Sequence, residues 1–187
     1  VWEPEVRFFR VYDSTGKLRA AFYADLYERG DEKVRKHNGA WADGCMNRLR
    51  LPDGVQVPVE AFEGATDGKT ALIATSRVYF TSGFIQDVEA LAEIAHRNGT
   101  LLLVDDYQAT GQVPIDVKRS PVDVLITGGL KWLIGGPGIA YLYVRRELIP
   151  SLSPTVTGWF GHARQFDFDP HRLEFRDDAA RFEAGTP

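Results

Sequence analysis

Lys131 stands in Gly128-Gly129-Leu130-Lys131-Trp132-Leu133-Ile134-Gly135-Gly136-Pro137-Gly138, between apolar residues and ahead of a glycine-rich turn. A primary amine so placed can condense with a carbonyl group and hold it as an imine. The bland alternative is a lysine whose stem covers a sheet edge while its amine stays in water. Asp105 closes the apolar run Leu101-Leu102-Leu103-Val104, and the end of a buried strand is the usual rim of an α/β ligand crevice. A carboxylate there can pair with a protonated ring nitrogen, or merely accept from nearby backbone N–H groups. Asp106 points to the other side if the strand continues, so Asp105 is the better candidate. Gln108 can donate to a phenolate-like oxygen beside the imine. Trp159 and Thr186 each carry a donor able to face a phosphate, although either can equally be a packing or surface residue.

The glycine turn serves chain reversal as readily as ligand binding. It lacks the spacing and the terminal Lys-Ser/Thr of a nucleotide-binding P-loop. His37, His96, His162 and His171 are scattered, with no HExxH pair, so no metal site is expected. Of these, His96 reads as a surface residue of a helix, and His162, beside an aromatic turn, is the histidine to watch.

Elements must position these groups. Residues 5–28 read as two strands around the turn Asp13-Ser14-Thr15-Gly16, given their aromatic and β-branched content. The charged stretch 28–38 reads as a solvated loop or short helix, and Pro52-Asp53-Gly54 as a turn. After Pro58 the texture changes. Short apolar strands are expected at 70–74, 101–104, 122–126 and 139–144. A helix is expected from Asp87, with Val88, Leu91, Ile94 and Ala95 on one stripe and Asn98-Gly99 closing it. Nearly continuous apolar strands separated by helix or loop imply an α/β fold with a parallel or mixed sheet.

The totals narrow the function. The 187 residues hold one sizeable core, or one domain with a small appendage. A net charge of -4 with scattered basic residues argues against nucleic acid as a partner. The single cysteine, Cys45, rules out an internal disulfide framework and suits a reducing, cytoplasmic setting. Apolar runs fall far short of the roughly 20 residues that span a bilayer, so no membrane is expected. A chain that begins at Val1 and ends on Gly185-Thr186-Pro187 is expected to be a cut piece or a processed product.

Several phrases resemble the pyridoxal-phosphate enzymes of fold type I, specifically the class V aminotransferase superfamily and its kynureninase-like members. They are Ser76-Arg77-Val78-Tyr79-Phe80-Thr81-Ser82-Gly83, Val104-Asp105-Asp106-Tyr107-Gln108-Ala109-Thr110-Gly111 and Pro114-Ile115-Asp116-Val117. The lysine segment follows, then Gly158-Trp159-Phe160-Gly161-His162 and Arg181 to Pro187. The resemblance covers about residues 60–187 and implies an incomplete large domain with a mostly parallel sheet, preceded by a small β-rich segment. It implies that Lys131 holds the aldehyde of pyridoxal 5'-phosphate as a Schiff base and that Asp105 pairs with the pyridine nitrogen. Gln108 would lie near the phenolic oxygen and Trp159 at the phosphate. Thr186 would reach the phosphate of a partner subunit in a homodimer. An amino acid would be the substrate, with the cofactor as electron sink. Leu130 departs from the tyrosine or histidine usual before the lysine, and Phe80 lacks the polar handle of cysteine desulfurases, whose sulfur-accepting downstream cysteine has no counterpart.

Residues 1–59 resemble a fragment of the thimet oligopeptidase/oligopeptidase A family of zinc peptidases. The matching text includes Asp25-Leu26-Tyr27-Glu28-Arg29, Asn38-Gly39-Ala40-Trp41-Ala42-Asp43 and Gln56-Val57-Pro58-Val59. The HExxH helix of that family is absent, so no metal ligand carries over. Two truncated enzyme pieces joined near residues 57–62 are thus expected: 1–59 peptidase-like, 60–187 transferase-like. The upstream phosphate turn and the small terminal domain of intact relatives are expected to be missing. Weak or absent catalysis follows, as a loosened site loses rate steeply. The alternative is a non-catalytic assembly fragment needing a complementary chain.

Overall fold

In a computed structural model, residues 8–12, 18–23, 55–169 and 171–184 are described. Internal contacts divide the chain into Val1–Arg50 and Leu51–Pro187. In the first unit β1 (Phe8–Tyr12) pairs antiparallel with β2 (Leu18–Tyr23), the two expected strands, with a register irregularity between Val11 and Tyr12. The expected loop or helix over 28–38, the turn at 52–54, Cys45 and His37 lie outside the described residues, as does Thr186.

The second unit is built on a four-stranded sheet. Its strands are β3 (Leu72–Ser76), β4 (Leu101–Asp105), β5 (Val124–Gly128) and β6 (Ala140–Val144), side by side in that order. β3, β4 and β5 run parallel, while β6 runs antiparallel to β5. The sheet is therefore mixed, as expected for an α/β chain. β3 and β5 lie two residues later than their apolar runs imply. Val122 is buried but precedes β5, because strand limits follow partner register rather than hydrophobicity. Ser76 pairs with Asp105, Asp105 with Ile126, and Gly128 with Ala140, which carries the ladder to the strand ends.

Two short helices accompany the sheet: α1 (Val59–Ala65), which periodicity did not reveal, and α2 (Val88–Arg97). Seven residues with one buried side chain, Phe62, leave too little stripe to detect α1. α2 is locally over-determined. Asp87 accepts the Ala90 N–H at 3.0 Å as N-cap. Leu91, Ala92 and Ala95 are completely buried on the stripe that packs on β4. The Asn98 N–H and the Gly99 N–H close the last turn, and Gly99 has φ +68° with open space around it. Gly99→Ala should therefore lower stability by about 1–2 kcal/mol through backbone strain alone. A urea titration would show a reduced midpoint at unchanged slope; an unchanged midpoint would refute the strain argument.

The two faces of the sheet differ. Ile73, Leu102, Val104 and Leu125 form the buried face. On the other face Leu103 and Asp105 are half-buried, and Ala74, Ile126 and Leu142 are exposed. Parallel strands ordinarily bury both faces. Beyond β6 the described residues form three 3-10 turns, Arg146–Ser151, Trp159–Gly161 and Ala179–Phe182. Arg181, buried beside them, donates to the carbonyls of Ile149, Leu152 and Arg176.

Among the described residues, no helix is long and apolar enough to cross a membrane, and no cluster of three or more His, Cys, Asp or Glu could hold a metal ion.

Candidate active site

Asp105 is the last residue of β4, on the open face and at the carboxyl edge of the parallel strands. Its Oδ1 accepts the Tyr107 N–H at 2.9 Å, so the carboxylate also tightens the turn that follows the strand. The adjacent Asp106 faces the opposite way and is fully buried. Arg77 grips it through two hydrogen bonds, Nε to Oδ1 at 2.5 Å and Nη2 to Oδ2 at 3.0 Å. The same guanidinium donates to the carbonyls of Val113 and Pro114 at 2.9 Å each. Thr110 Oγ1 also donates to Asp106 Oδ2. The segment after β4 is thus clamped to the residue after β3, beneath the candidate site. Arg77 and Asp106 were not expected to matter there. The adjacent acids in Asp105-Asp106 were a signal, since one of two neighbouring carboxylates at a buried strand end requires a buried cation.

Lys131 lies on the connection between β5 and β6. The Gly129 N–H donates to the Ile139 carbonyl at 2.9 Å, and the Gly135 N–H to the Gly129 carbonyl at 2.7 Å. The glycine-rich segment therefore does reverse the chain between antiparallel strands, and it carries the lysine on that reversal. Lys131 is exposed, as are Leu130, Trp132, Leu133 and Ile134 around it. Its Nζ sits 5.0 Å from the centroid of the Tyr107 ring. Gly111, at φ +99°, lets the 107–112 turn approach this loop; a Cβ there would lie 2.9 Å from the Trp132 carbonyl. Tyr107 touches both candidates: its backbone N–H donates to the Asp105 carboxylate, and its ring carries the cation–π contact with Lys131.

Gln108 sits half-buried in the same turn, its carbonyl accepting Gln112 Nε2 at 2.7 Å. Trp159 is about half exposed within an aromatic cluster with Phe160, Phe166 and Phe168, all at 5.8 Å between ring centres. Its indole N–H donates to the Gln165 carbonyl, a bond that a phosphate contact would have to replace. His162 is a structural residue here: Nδ1 accepts the Arg164 N–H at 2.8 Å and Nε2 lies 2.9 Å from the Arg172 carbonyl. His96, expected at the surface, is part-buried against Asp123, with Nε2 3.0 Å from Oδ2. A fully buried carboxylate at the foot of β5 draws it in, which the helical stripe alone does not reveal. In the loop after β3, burial pushes the Tyr79 phenol above its ordinary pKa, and its O–H donates to Gln86 Oε1 at 2.9 Å.

Comparison with known proteins agrees with this architecture. The chain is 44% identical over 148 residues to the uncharacterized aminotransferase YcbU of Bacillus subtilis, covering 79% of this chain and 38% of that protein. It is 34% identical over 139 residues to the kynureninase of Pseudomonas fluorescens, covering 74% and 32% respectively. The fold matches an apo cysteine desulfurase from Thermococcus onnurineus NA1 at TM-score 0.65 and 28% identity, over 75% of this chain and 34% of that one. The chain thus spans well under half the length of these relatives. At the other end, residues 1–80 match the model of Peptidase family M3, in line with the peptidase resemblance of the opening segment. The Aminotransferase class-V model covers residues 41–187, including the strand-end acids and the lysine loop, and the chain belongs to that family.

Proposed function

We propose that this chain carries the cofactor-holding part of a pyridoxal-phosphate-dependent enzyme acting on an amino acid, of aminotransferase or kynureninase-like type. In this reading Lys131 Nζ bonds the cofactor aldehyde, and Asp105 pairs with the pyridine nitrogen. The observation that carries it is the continuity from the Asp105 carboxylate through Tyr107 to the Lys131 ammonium, at the carboxyl edge of the parallel strands.

The residues fit the ring nitrogen and the aldehyde of the group. Asp105 has accepting capacity beyond its bond to Tyr107, and the Lys131 amine is accessible. Gln108 is in the same turn, available to the phenolic oxygen. Trp159 and Thr186 complete the proposal at the phosphate, Thr186 from a partner subunit in a homodimer. When bound, the cofactor withdraws electrons from the substrate carbon. The chain's own tasks are narrower. Asp105 keeps positive charge on the ring nitrogen, and Lys131 holds the group and then moves a proton at the substrate carbon. The peptidase-like opening segment is, in this reading, the other piece of a chimera joined near residues 57–62. Weak turnover of the isolated chain is part of the proposal.

The test is an absorbance titration with pyridoxal phosphate, comparing the parent with Lys131→Ala after removal of free cofactor. The parent should retain a visible band, and the variant should lose essentially all of it. Identical spectra would overturn the assignment of Lys131.

A second reading, an assembly fragment needing a complementary chain, draws on one observation. Ile126, Leu142, Ile134 and Trp132 leave substantial apolar surface exposed on the open face and the lysine loop. Size-exclusion chromatography over a range of concentrations distinguishes the two, since a clean monomer at all of them counts against assembly.

A further inference from the structure

The loop between β3 and α2 and the segment entering α1 enclose a cavity of about 210 Å3 that the aldehyde chemistry does not use. The loop folds back on itself. The Tyr79 N–H donates to the Phe84 carbonyl at 3.0 Å and the Gly83 N–H to the Tyr79 carbonyl at 2.7 Å, with Gly83 at φ +71° in the bend. Ser82 Oγ, near the tip, donates to the Val55 carbonyl at 2.6 Å and fastens the loop to the segment ahead of α1. The space between them is therefore preformed. Val57, Pro58, Phe84 and Ile85 give it apolar walls, and Glu60, Gln86 and Asp87 its polar groups.

Gln86 is the informative member, lining the cavity while only 3% exposed. Its Oε1 accepts the Tyr79 O–H at 2.9 Å, which orients the amide and leaves the Nε2 donors without a partner among the described residues. A buried donor is costly to leave unmet, so whatever enters the cavity must accept from it. Water is the plain answer. Apolar walls around one oriented donor are, however, the make-up of a small-molecule site. At about 210 Å3 the space is below the roughly 300–1,000 Å3 of common ligand pockets, so the ligand is small. Glu60 and Asp87 add two carboxylates, neither with an ion-pair partner among the described residues, and Asp87 spends only Oδ1 on the Ala90 N–H. Such a lining favours an ammonium and disfavours a free carboxylate.

We propose that this cavity binds a small organic amine whose apolar body carries a carbonyl, an amino-acid amide being the simplest example. The carbonyl accepts from Gln86 Nε2, the apolar body lies against Val57, Pro58, Phe84 and Ile85, and the ammonium faces Glu60 and Asp87. The site shares no residue with Asp105 or Lys131 and stands independently of the cofactor reading.

The test is an NMR titration of the full chain with leucinamide, with isopentylamine, which lacks the carbonyl, and with 4-methylpentanamide, which lacks the amine. Leucinamide should shift the backbone signals of residues 84–87 saturably. It should bind about fivefold tighter than either truncated ligand, the share expected of one hydrogen bond or one partly screened charge. Gln86→Leu should bring leucinamide down to the level of isopentylamine and leave isopentylamine unchanged. Glu60→Gln, at an exposed position, should weaken both amines about twofold and leave 4-methylpentanamide unchanged. If circular dichroism shows Gln86→Leu unfolded, the ranking of ligands on the parent and Glu60→Gln decide the matter. Equal affinity for leucinamide and both truncated ligands would overturn the proposal, as would free leucine binding as tightly as its amide. Shifts at residues 84–87 that never saturate would leave the cavity to water and overturn it too.

Discussion

Arg77→Met should lower the unfolding free energy of the Leu51–Pro187 unit by about 3–5 kcal/mol, the range seen when one member of a buried ion pair is removed. Asp106 is completely buried and Arg77 is 4% exposed, so the orphaned carboxylate has no water to turn to. The carbonyls of Val113 and Pro114 would lose their donor as well. Against a typical domain stability of about 5–15 kcal/mol, a loss of that size leaves a marginal fold. Arg77→Met/Asp106→Leu should be less destabilised than Arg77→Met alone, because no charge remains buried without a partner. Denaturant titrations of the parent and both variants check this. A single variant within about 1 kcal/mol of the parent would show that Asp106 finds another partner or takes up a proton readily.

Asp123→Ala is the second large effect, at about 2–3 kcal/mol. This carboxylate is fully buried; Oδ2 accepts the Leu102 N–H at 2.7 Å and contacts His96 Nε2 at 3.0 Å. Arg145 Nη2 lies 3.0 Å from Oδ1, an ion-pair contact without hydrogen-bond alignment, since neither Oδ1 nor Arg145 Nε has a directed partner. His96 and Arg145 are about a third exposed and can return to water, so the lasting penalty falls on the Leu102 N–H. Asp123→Asn keeps an acceptor for that N–H and should lose about half as much. Thermal unfolding ranks the three proteins, and equal losses for Asn and Ala would remove the Leu102 bond as the cause.

The lysine loop and the strand-end acid show how far residue text carries. The strand-end position of Asp105 was legible because four apolar residues precede it, and a strand of that kind must end in polar surroundings. α2 was legible to within a residue at each end, because cap, stripe and closing glycine are all local. Tyr107 was not singled out, because its significance depends on the absent side chain at Gly128 and on a lysine further along the chain. Asp106 and Arg77 are 29 residues apart, and each reads as an ordinary surface charge by itself. His96 was placed on the surface because its helical position says nothing of Asp123, the residue just ahead of β5.

By itself, then, the sequence determined the α/β class, the capped helix, the apolar strands and the two residue types suited to an aldehyde cofactor. All of these depend on interactions within a few residues or on side-chain chemistry. Only the tertiary structure decided that β6 runs antiparallel, so that the glycine run closes a strand pair with Lys131 upon it. Only there did the ring of Tyr107 come to rest against Gly128 and under the lysine amine. Such pairings are selected by burial and register over long chain separations, where local periodicity carries no information.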